Sequence, residues 1–366
     1  MEPIAVCTVI TKNYLAHARV LAHSLVAHNP GSKLYVLVAD SPDGYFKPNA
    51  EPFETLFLQD LQHPEAVADM CFYYGALELC CALRAALHEY MQRKTSHSRW
   101  ALIDPDVLIC SSLQPAWESM KDHSVLLTPH ALSPCEDNGQ YLLERTFLGH
   151  GIYNGGFVGV TRCPESGEFI AWFQKRLMNH CFSAPSSNQF VEQLWLNLVP
   201  LFFPKTGVLK HPGVNVARWN LHERALVEVS PGRFLSNGEP LIFFHFSGFD
   251  PMVPGKLSRY SNQLTTDPPA LARLTEIYRS KLFENGYPET IRYPYTFSRF
   301  STGEPVTSTM RHVYNYELMI GKRHFHGSPF DNAPYFRSTT SPLRSMARSV
   351  RNWARRARQR PAEGRL

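Results

Sequence analysis

Residues 100–113 read WALIDPDVLICSSL: one apolar run, an Asp104-Pro105-Asp106 interruption, and a second apolar run. A strand covered on both faces has no polar side, so it reads as a continuous apolar stretch rather than an alternation. Pro105 has a fixed φ and no N–H for a ladder, which suits a chain leaving a sheet at that point. Working outward, runs of the same kind stand at 4–10 (IAVCTVI), 34–40 (LYVLVAD) and 54–60 (ETLFLQD). Between the first two, Leu15, Ala18, Leu21, Leu25 and Val26 recur at helical spacing, and Asn29-Pro30-Gly31 ends the segment. A long helix is predicted from about 73 to 92. Buried strands separated by helices predict an α/β fold with a parallel sheet covered on both faces. Ligands of such sheets gather at the carboxyl ends of the strands. The polar residues to weigh are therefore Thr11–Tyr14, Asp40 and Asp104–Asp106.

Beyond 125 the pattern loosens. Strands are predicted at 124–128, 156–161 and 241–246, and helices at 166–180, around 188–198 and at 268–284. An aromatic, irregular stretch follows (YPYTF, 293–297), and no internal repeat is present. The division expected is a catalytic domain over 1–250, an extension over 251–341 packed on it, and a basic tail over 342–366.

Composition narrows the classes. The chain of 366 residues is 44% hydrophobic, 12% aromatic and only 19% charged, which excludes a disordered chain, a collagen and a coiled coil. No run of 18 apolar residues exists to span a bilayer. Residues 4–10 read as a strand without a basic leader before it, so a cytoplasmic chain is expected. The eight cysteines contain no C-x-x-C spacing, and the plain expectation is small buried hydrophobes.

Asp104 and Asp106 are the centre of the chemistry. Two carboxylates at a strand end repel, and a bound divalent cation is the usual reason to keep them together. A solvated turn is the plainer alternative. His245 ends the run LIFF and begins HFSGF, where it stands as a third metal ligand or as a core histidine. A nitrogen ligand favours Mn²⁺ over Mg²⁺. Tyr153-Asn154-Gly155-Gly156 brings a polar side chain into a strand beside two glycines that clear space for a ligand, unless it is an ordinary Asn-Gly turn. Gly248 permits close backbone approach. Arg84 reaches a phosphate or snorkels from its helix.

In order along the chain, NYLAHARVLAHSL (13–25), ELCCALR (78–84), LIDPDVLI (102–109), YNGGFVGV (153–160), EQLWLNLVP (192–200), NVARWNLHER (215–224) and HFSGFDP (245–251) resemble GT-A glycosyltransferases, specifically bacterial relatives of glycosyltransferase family 8. PYTFSRFSTGEPV (294–306) is similar to the carboxyl-terminal segment of such proteins. The resemblance implies a Rossmann-like, mostly parallel central sheet flanked by helices, with a mixed carboxyl-terminal extension. It implies transfer of a sugar from a nucleotide diphosphate donor, a UDP-hexose first, to a glycan or lipid-linked acceptor of the cell envelope, with retention. It places Thr11, Asn13, Tyr14 and Asp40 on the nucleotide, Asp104, Asp106 and His245 on Mn²⁺ or Mg²⁺, and Arg84, Asn154, Gly155 and Gly248 along the donor. Glu192-Gln193 stands where the family usually has an Asp-Gln pair near the reacting sugar. The lysine that often follows the histidine-glycine motif is replaced by Phe249-Asp250-Pro251, leaving Lys256 or Arg259 for the second phosphate. Asn220 and His222 are weaker acceptor-side candidates. An inverting enzyme would need a base, for which Glu192 or Asp250 would serve.

Other readings are a non-catalytic sugar- or nucleotide-binding protein of the same fold, and a haloacid-dehalogenase-type phosphatase. The second is imitated by LIDPDVL but lacks a later acidic pair. A nucleotidyltransferase is excluded because TKNYLAH has no glycine-rich phosphate loop.

Charge splits unevenly. Residues 342–366 hold eight arginines against one glutamate, and the rest of the chain is net −2 of a whole-chain +5. Over 343–360, Leu343, Met346, Ala347, Val350, Trp353, Ala354 and Ala357 share one helical stripe beside a stripe of arginines. That pattern predicts an interfacial helix for an anionic surface on the inner face of the plasma membrane, with a disordered basic terminus or a nucleic-acid contact as the alternatives.

Overall fold

The computed structural model describes residues 4–135, 141–253, 255–261 and 268–340. The basic tail expected over 342–366 lies outside them. The first compact unit comprises Met1–Val67 and Ala76–Tyr295. Along the chain the strands and helices open with β1 (Ala5–Ile10), α1 (Leu15–His28), β2 (Lys33–Val38), β3 (Glu54–Phe57), α2 (Pro64–Tyr73, of which the residues from Ala68 belong to the second unit), α3 (Ala76–Lys94), β4 (Arg99–Ile103), β5 (Val107–Ile109) and α4 (Gln114–Ser119). They continue with β6 (Val125–Pro129), α5 (Tyr141–His150), β7 (Tyr153–Thr161), α6 (Pro164–Leu177), the short ribbon β8 (Ser183–Ala184) and β9 (Gln189–Phe190), α7 (Val199–Phe202) and β10 (Thr206–Val208). Then come β11 (Val216–Ala217), β12 (Leu226–Ser230), β13 (Arg233–Ser236), β14 (Glu239–Pro240), β15 (Phe243–His245), α8 (Pro269–Glu284) and α9 (Tyr287–Thr290).

Seven strands form the main sheet in the order β10-β6-β7-β4-β1-β2-β3. All pairs are parallel except those of β7, which runs against both β4 and β6. The fully buried β1 sits inside the sheet, as its unbroken apolar run requires, whereas β3 at the edge is half exposed. The parallel sheet expected from the sequence is therefore mostly parallel, and its one reversed strand matters for the site. Because β7 runs backwards, its first residues lie level with the carboxyl end of β4: Ile103 pairs with Phe157, and the Asp104 N–H donates to Gly156 O at 3.1 Å.

A second sheet has the order β11-β15-β5. The chain leaves the main sheet after Ile103 and enters this one at Val107, so Asp104-Pro105-Asp106 is the corner between two sheets. Val107 pairs with His245, and the Phe246 N–H donates to Asp106 O at 2.8 Å, which fixes the histidine beside the second aspartate.

One core cluster packs Leu15, Leu21 and Leu25 of α1 against Val36, Ile103, Val107 and Phe243. Another packs Leu271, Leu274, Tyr278 and Leu282 of α8 against Val216, Phe244 and Phe246. That packing carries the first unit past the expected boundary at 250, as far as Tyr295. The long helix predicted over 73–92 is α3, Ala76–Lys94, and one helix expectation changes. No α-helix spans 188–198: Asn188 and Val191 take positive φ (55° and 40°), which interrupts any helix, and a 3₁₀ segment follows at Gln193–Leu198.

The second unit comprises Ala68–Gly75 and the chain from Thr296, with α10 (Ser308–Met319) and α11 (Ala333–Thr340). The buried Arg311 guanidinium donates to the carbonyls of Phe72, Tyr74 and Phe297, inside a cluster of Phe72, Phe300, Tyr314, Phe330 and Phe336 rings. All eight cysteines are thiols. Among the described residues no helix is long and apolar enough to cross a membrane.

Candidate active site

The corner brings Asp104 and Asp106 to the imidazole of His245. His245 Nε2 lies 3.1 Å from Asp106 Oδ1 and 3.5 Å from Asp104 Oδ2. One ligand atom from each residue falls within 4.8 Å of the others, the only such group among the described residues. On its other side, His245 Nδ1 meets Asn215 Oδ1 at 3.1 Å. With Nδ1 donating to that oxygen, the neutral imidazole turns the Nε2 lone pair toward two carboxylates. That arrangement needs a cation, a proton or a metal, to be favourable. Burial alone would lower the pKa of His245, but Asp106 and Asp104 outweigh it and raise it. Burial works against ionised Asp106, yet the imidazole holds its pKa below the usual value, while burial leaves Asp104 raised.

Arg84 is the hub of the second layer. Its guanidinium donates to Asp104 Oδ1 at 2.5 Å, to Glu192 Oε1 at 2.6 Å and to Gly155 O at 2.6 Å. Asp104 and Glu192 hold it in the charged form against burial. The expected phosphate contact is thus a carboxylate clamp. Three carboxylates against one guanidinium leave two negative charges, which one divalent ion bound by Asp104, Asp106 and His245 would neutralise. The donor set of two oxygens and one nitrogen fits such an ion.

Glu192 is buried, its Oε2 without a hydrogen-bond partner. It faces Arg84, Gly155 and the Cys81 and Cys181 thiols, whose pKa values it helps push up after burial. Gln193 is spent on the start of β7 and on the residue His150 before it. Its Oε1 accepts from Asn154 Nδ2 and the Gly155 N–H, both at 3.0 Å, and its Nε2 donates to His150 O at 2.8 Å. Asn154 is buried, its Oδ1 accepting from the Gly156 N–H and from Asn215 Nδ2 at 2.9 Å each.

The glycines do not clear space for a ligand as the sequence led us to expect. They clear it for side chains. A Cβ on Gly155 would stand 2.1 Å from Glu192 Oε1, and one on Gly156 2.4 Å from His245 Cε1. Gly248, at φ +71°, has the Tyr260 ring where its Cβ would point, at 2.5 Å.

At the carboxyl ends of β1 and β2, Thr11 Oγ1 donates to Asn13 Oδ1 at 2.5 Å, and Tyr14 stacks on His17 with ring centroids 4.5 Å apart. Asp40 is buried and faces Lys12, 3.5 Å away, which also reaches Asp43 at 2.9 Å. Asn220 is structural: it donates to His130 O and Asn215 O and accepts from the Ala217 N–H. His222 lies 3.7 Å from Cys135 Sγ.

Sequence reasoning assigned no role to Asn215, although it opens the quoted NVARWNLHER stretch, nor to Lys12, which lay in the flagged 11–14 segment.

No protein-family model matches the chain. It is similar to two uncharacterized proteins of Bacillus subtilis (strain 168). YfnF is 25% identical over 281 residues, 74% of this chain and 89% of the relative. YfnD is 27% identical over 251 residues, 66% of this chain and 76% of the relative. Among solved structures it is similar to the galactosyltransferase LgtC in complex with donor and acceptor sugar analogues, with TM-score 0.48 and 14% identity over 77% of this chain and 96% of that one. The glycosyltransferase GlyE of Streptococcus pneumoniae TIGR4 has TM-score 0.43 and 12% identity, covering 81% and 66%. Mouse xyloside xylosyltransferase 1 has TM-score 0.39 and 12% identity, covering 66% and 96%. From its own geometry, the chain is a mostly parallel α/β protein with a candidate divalent-cation site at the carboxyl end of its central strands.

Proposed function

We propose that this chain is a glycosyltransferase that moves a sugar, a hexose of a UDP-sugar first, from a nucleoside-diphosphate donor to a glycan or lipid-linked acceptor. One observation carries the reading: Asp104, Asp106 and His245 converge at the corner between the two sheets, where α/β proteins bind ligands. Mn²⁺ or Mg²⁺ bound there would supply a Lewis acid for the departing diphosphate. Asp104 and Asp106 would offer oxygens and His245 its Nε2, while Arg84 fixes Asp104 and offsets Glu192. Thr11, Asn13, Tyr14 and Asp40 would receive the nucleoside, and Asn154, Gly155 and Gly248 would wall the donor side.

Retention is favoured by where the carboxylates stand. Glu192 lies beneath Gly155 in an ion pair with Arg84, so it is poorly placed as a base for an acceptor hydroxyl. Asp250 Oδ1 accepts from the Met252 N–H. In the retaining reading the departing diphosphate takes the acceptor's proton, and no dedicated base is needed.

The test is hydrolysis and transfer with UDP-, GDP-, ADP- and dTDP-sugars, with and without Mn²⁺, for wild type and Asp106→Ala. Metal-dependent turnover by wild type and its loss in the variant are expected. If wild type turns over no sugar nucleotide, the transferase reading falls and a non-catalytic binding protein takes its place. The arginine-rich segment 343–360 would hold the enzyme at an anionic membrane face near a lipid-linked acceptor. Sedimentation with anionic vesicles, compared with a chain ending at Ser341, tests that part. Equal binding by both would remove it.

A further inference from the structure

Arg218 is the residue after Ala217, and Ala217 pairs with His245 across β11 and β15. The Trp219 ring stands edge-on to the His245 ring, 5.1 Å between centroids. The Arg218 guanidinium lies 5.9 Å from the Trp219 ring and 5.6 Å from the ring of Tyr260. The guanidinium of Arg259 lies 4.9 Å from the same Tyr260 ring. Two cations therefore share one aromatic ring, and that ring fills the space above Gly248. The Arg259 backbone N–H donates to Gly248 O at 2.9 Å, which ties this group to the segment after β15.

Arg218 is half-buried, and its Nε has no hydrogen-bond partner. The indole N–H of buried Trp219 also lacks one. Burial pulls the Arg218 pKa down, and the one group acting the other way is Tyr260, not a carboxylate. Asp106 and Tyr14 lie close enough to Arg259 to act on its charge. A desolvated guanidinium without a counter-charge, beside a second one, is arranged to receive an anion.

We propose that Arg218 and Arg259, which share the Tyr260 ring beside the end of β15, hold the diphosphate of the donor. The inference rests on the transferase reading. A divalent ion would neutralise the two charges left by Asp104, Asp106, Glu192 and Arg84, and the donor's diphosphate would bring about two more. Two arginines match them. In the reaction the sugar's anomeric C–O bond breaks with its electron pair going to the diphosphate, and the acceptor oxygen forms the new bond. The acceptor's proton passes to the departing phosphate oxygen. Before that proton arrives, the leaving group carries one more negative charge than the bound donor had. Both arginines therefore act more strongly on the leaving group than on the substrate.

The test is equilibrium binding to the full chain in Mn²⁺, using UDP, GDP, ADP and dTDP and the matching monophosphates as probes. Mn²⁺ binding alone is measured in parallel. Arg218→Gln and Arg259→Gln are each expected to weaken the bound nucleoside diphosphate about tenfold or more. Affinity for Mn²⁺ and for the monophosphate stays within twofold. A structural role would not lower the diphosphate-to-monophosphate ratio. Arg259 is exposed, so its variant keeps the test open if Arg218→Gln folds poorly. Arg218→Lys, which keeps the charge, should recover part of the ratio. Unchanged diphosphate affinity in both glutamine variants, with loss in Asp106→Asn, overturns this inference and leaves the transferase reading standing. No binding of any nucleoside diphosphate by wild type overturns both.

Discussion

Asn215 Oδ1 lies 3.1 Å from His245 Nδ1, on the side of the imidazole away from Asp104 and Asp106. This contact sets the ring's tautomer and so decides which nitrogen faces the carboxylates. Asn215→Ala is expected to weaken Mn²⁺ binding by about 10- to 100-fold, the usual cost of removing the partner of a metal-bound histidine. Titration with Mn²⁺, followed by its electron-spin signal, checks this. Unaltered affinity in a variant that melts normally would show that the contact does not orient the ligand.

Gly156→Ala tests the same ring from the other side. The new methyl would lie 2.4 Å from His245 Cε1 and 2.6 Å from Nδ1. The obstacle is a buried ring held by Asn215 and Trp219, so it has little room to yield. Overpacking of this kind costs about 1–3 kcal/mol. The ring would also turn away from Asp106, so metal affinity should fall with stability. Thermal melting with and without Mn²⁺ reads both, and a variant still stabilised by Mn²⁺ as much as wild type would contradict the geometry.

Much of this was legible in the sequence, for identifiable reasons. Buried parallel strands announce themselves as unbroken apolar runs, and β1, β2 and β4 begin and end within two residues of where those runs do. The metal ligands were legible because Asp104 and Asp106 interrupt such a run and His245 closes another. The roles of Arg84, Glu192 and Gln193 were not. Their side chains are consumed by one another and by β7, and partner choice across 108 residues, as for Arg84 and Glu192, leaves no local pattern. The reversal of β7 was equally silent, since a buried strand reads alike in either direction. The helix expected at 188–198 failed where Asn188 and Val191 take positive φ, a conformation tertiary packing imposes on valine against its preference.

Arg84 and Glu192 form a buried ion pair 2.6 Å long, with side chains 12% and 4% exposed. Removing one partner strands the other's charge, which costs about 3–5 kcal/mol for a buried pair. Arg84→Met should be strongly destabilising because it abandons both Glu192 and Asp104. Arg84→Met with Glu192→Gln should recover part of the loss, since the amide carries no charge to leave unpaired. Urea unfolding of the two single variants and the double variant gives the coupling. Strictly additive losses would mean that the pair contributes nothing as a pair.

His88 makes stability depend on pH. It is wholly buried, and the Trp100 indole N–H donates to its Nδ1 at 3.0 Å, so the folded protein needs that nitrogen unprotonated. Burial, aided by the nearby Arg84 charge, lowers its pKa to about 3. Burial likewise lowers His17 to about 4 and His130 to about 3. In the unfolded chain each titrates near its ordinary value of about 6.5. Between those values the unfolded state binds more protons than the folded one, so stability falls as pH falls. The loss begins below pH ~6.5 and amounts to about 1.4 kcal/mol per pH unit for each such histidine. His88→Asn keeps an acceptor for Trp100 but cannot take up a proton. Its melting temperature should therefore decline less steeply than that of wild type between pH 6.5 and 4.5. Parallel declines would mean that His88 is not among the groups that make the fold acid-sensitive.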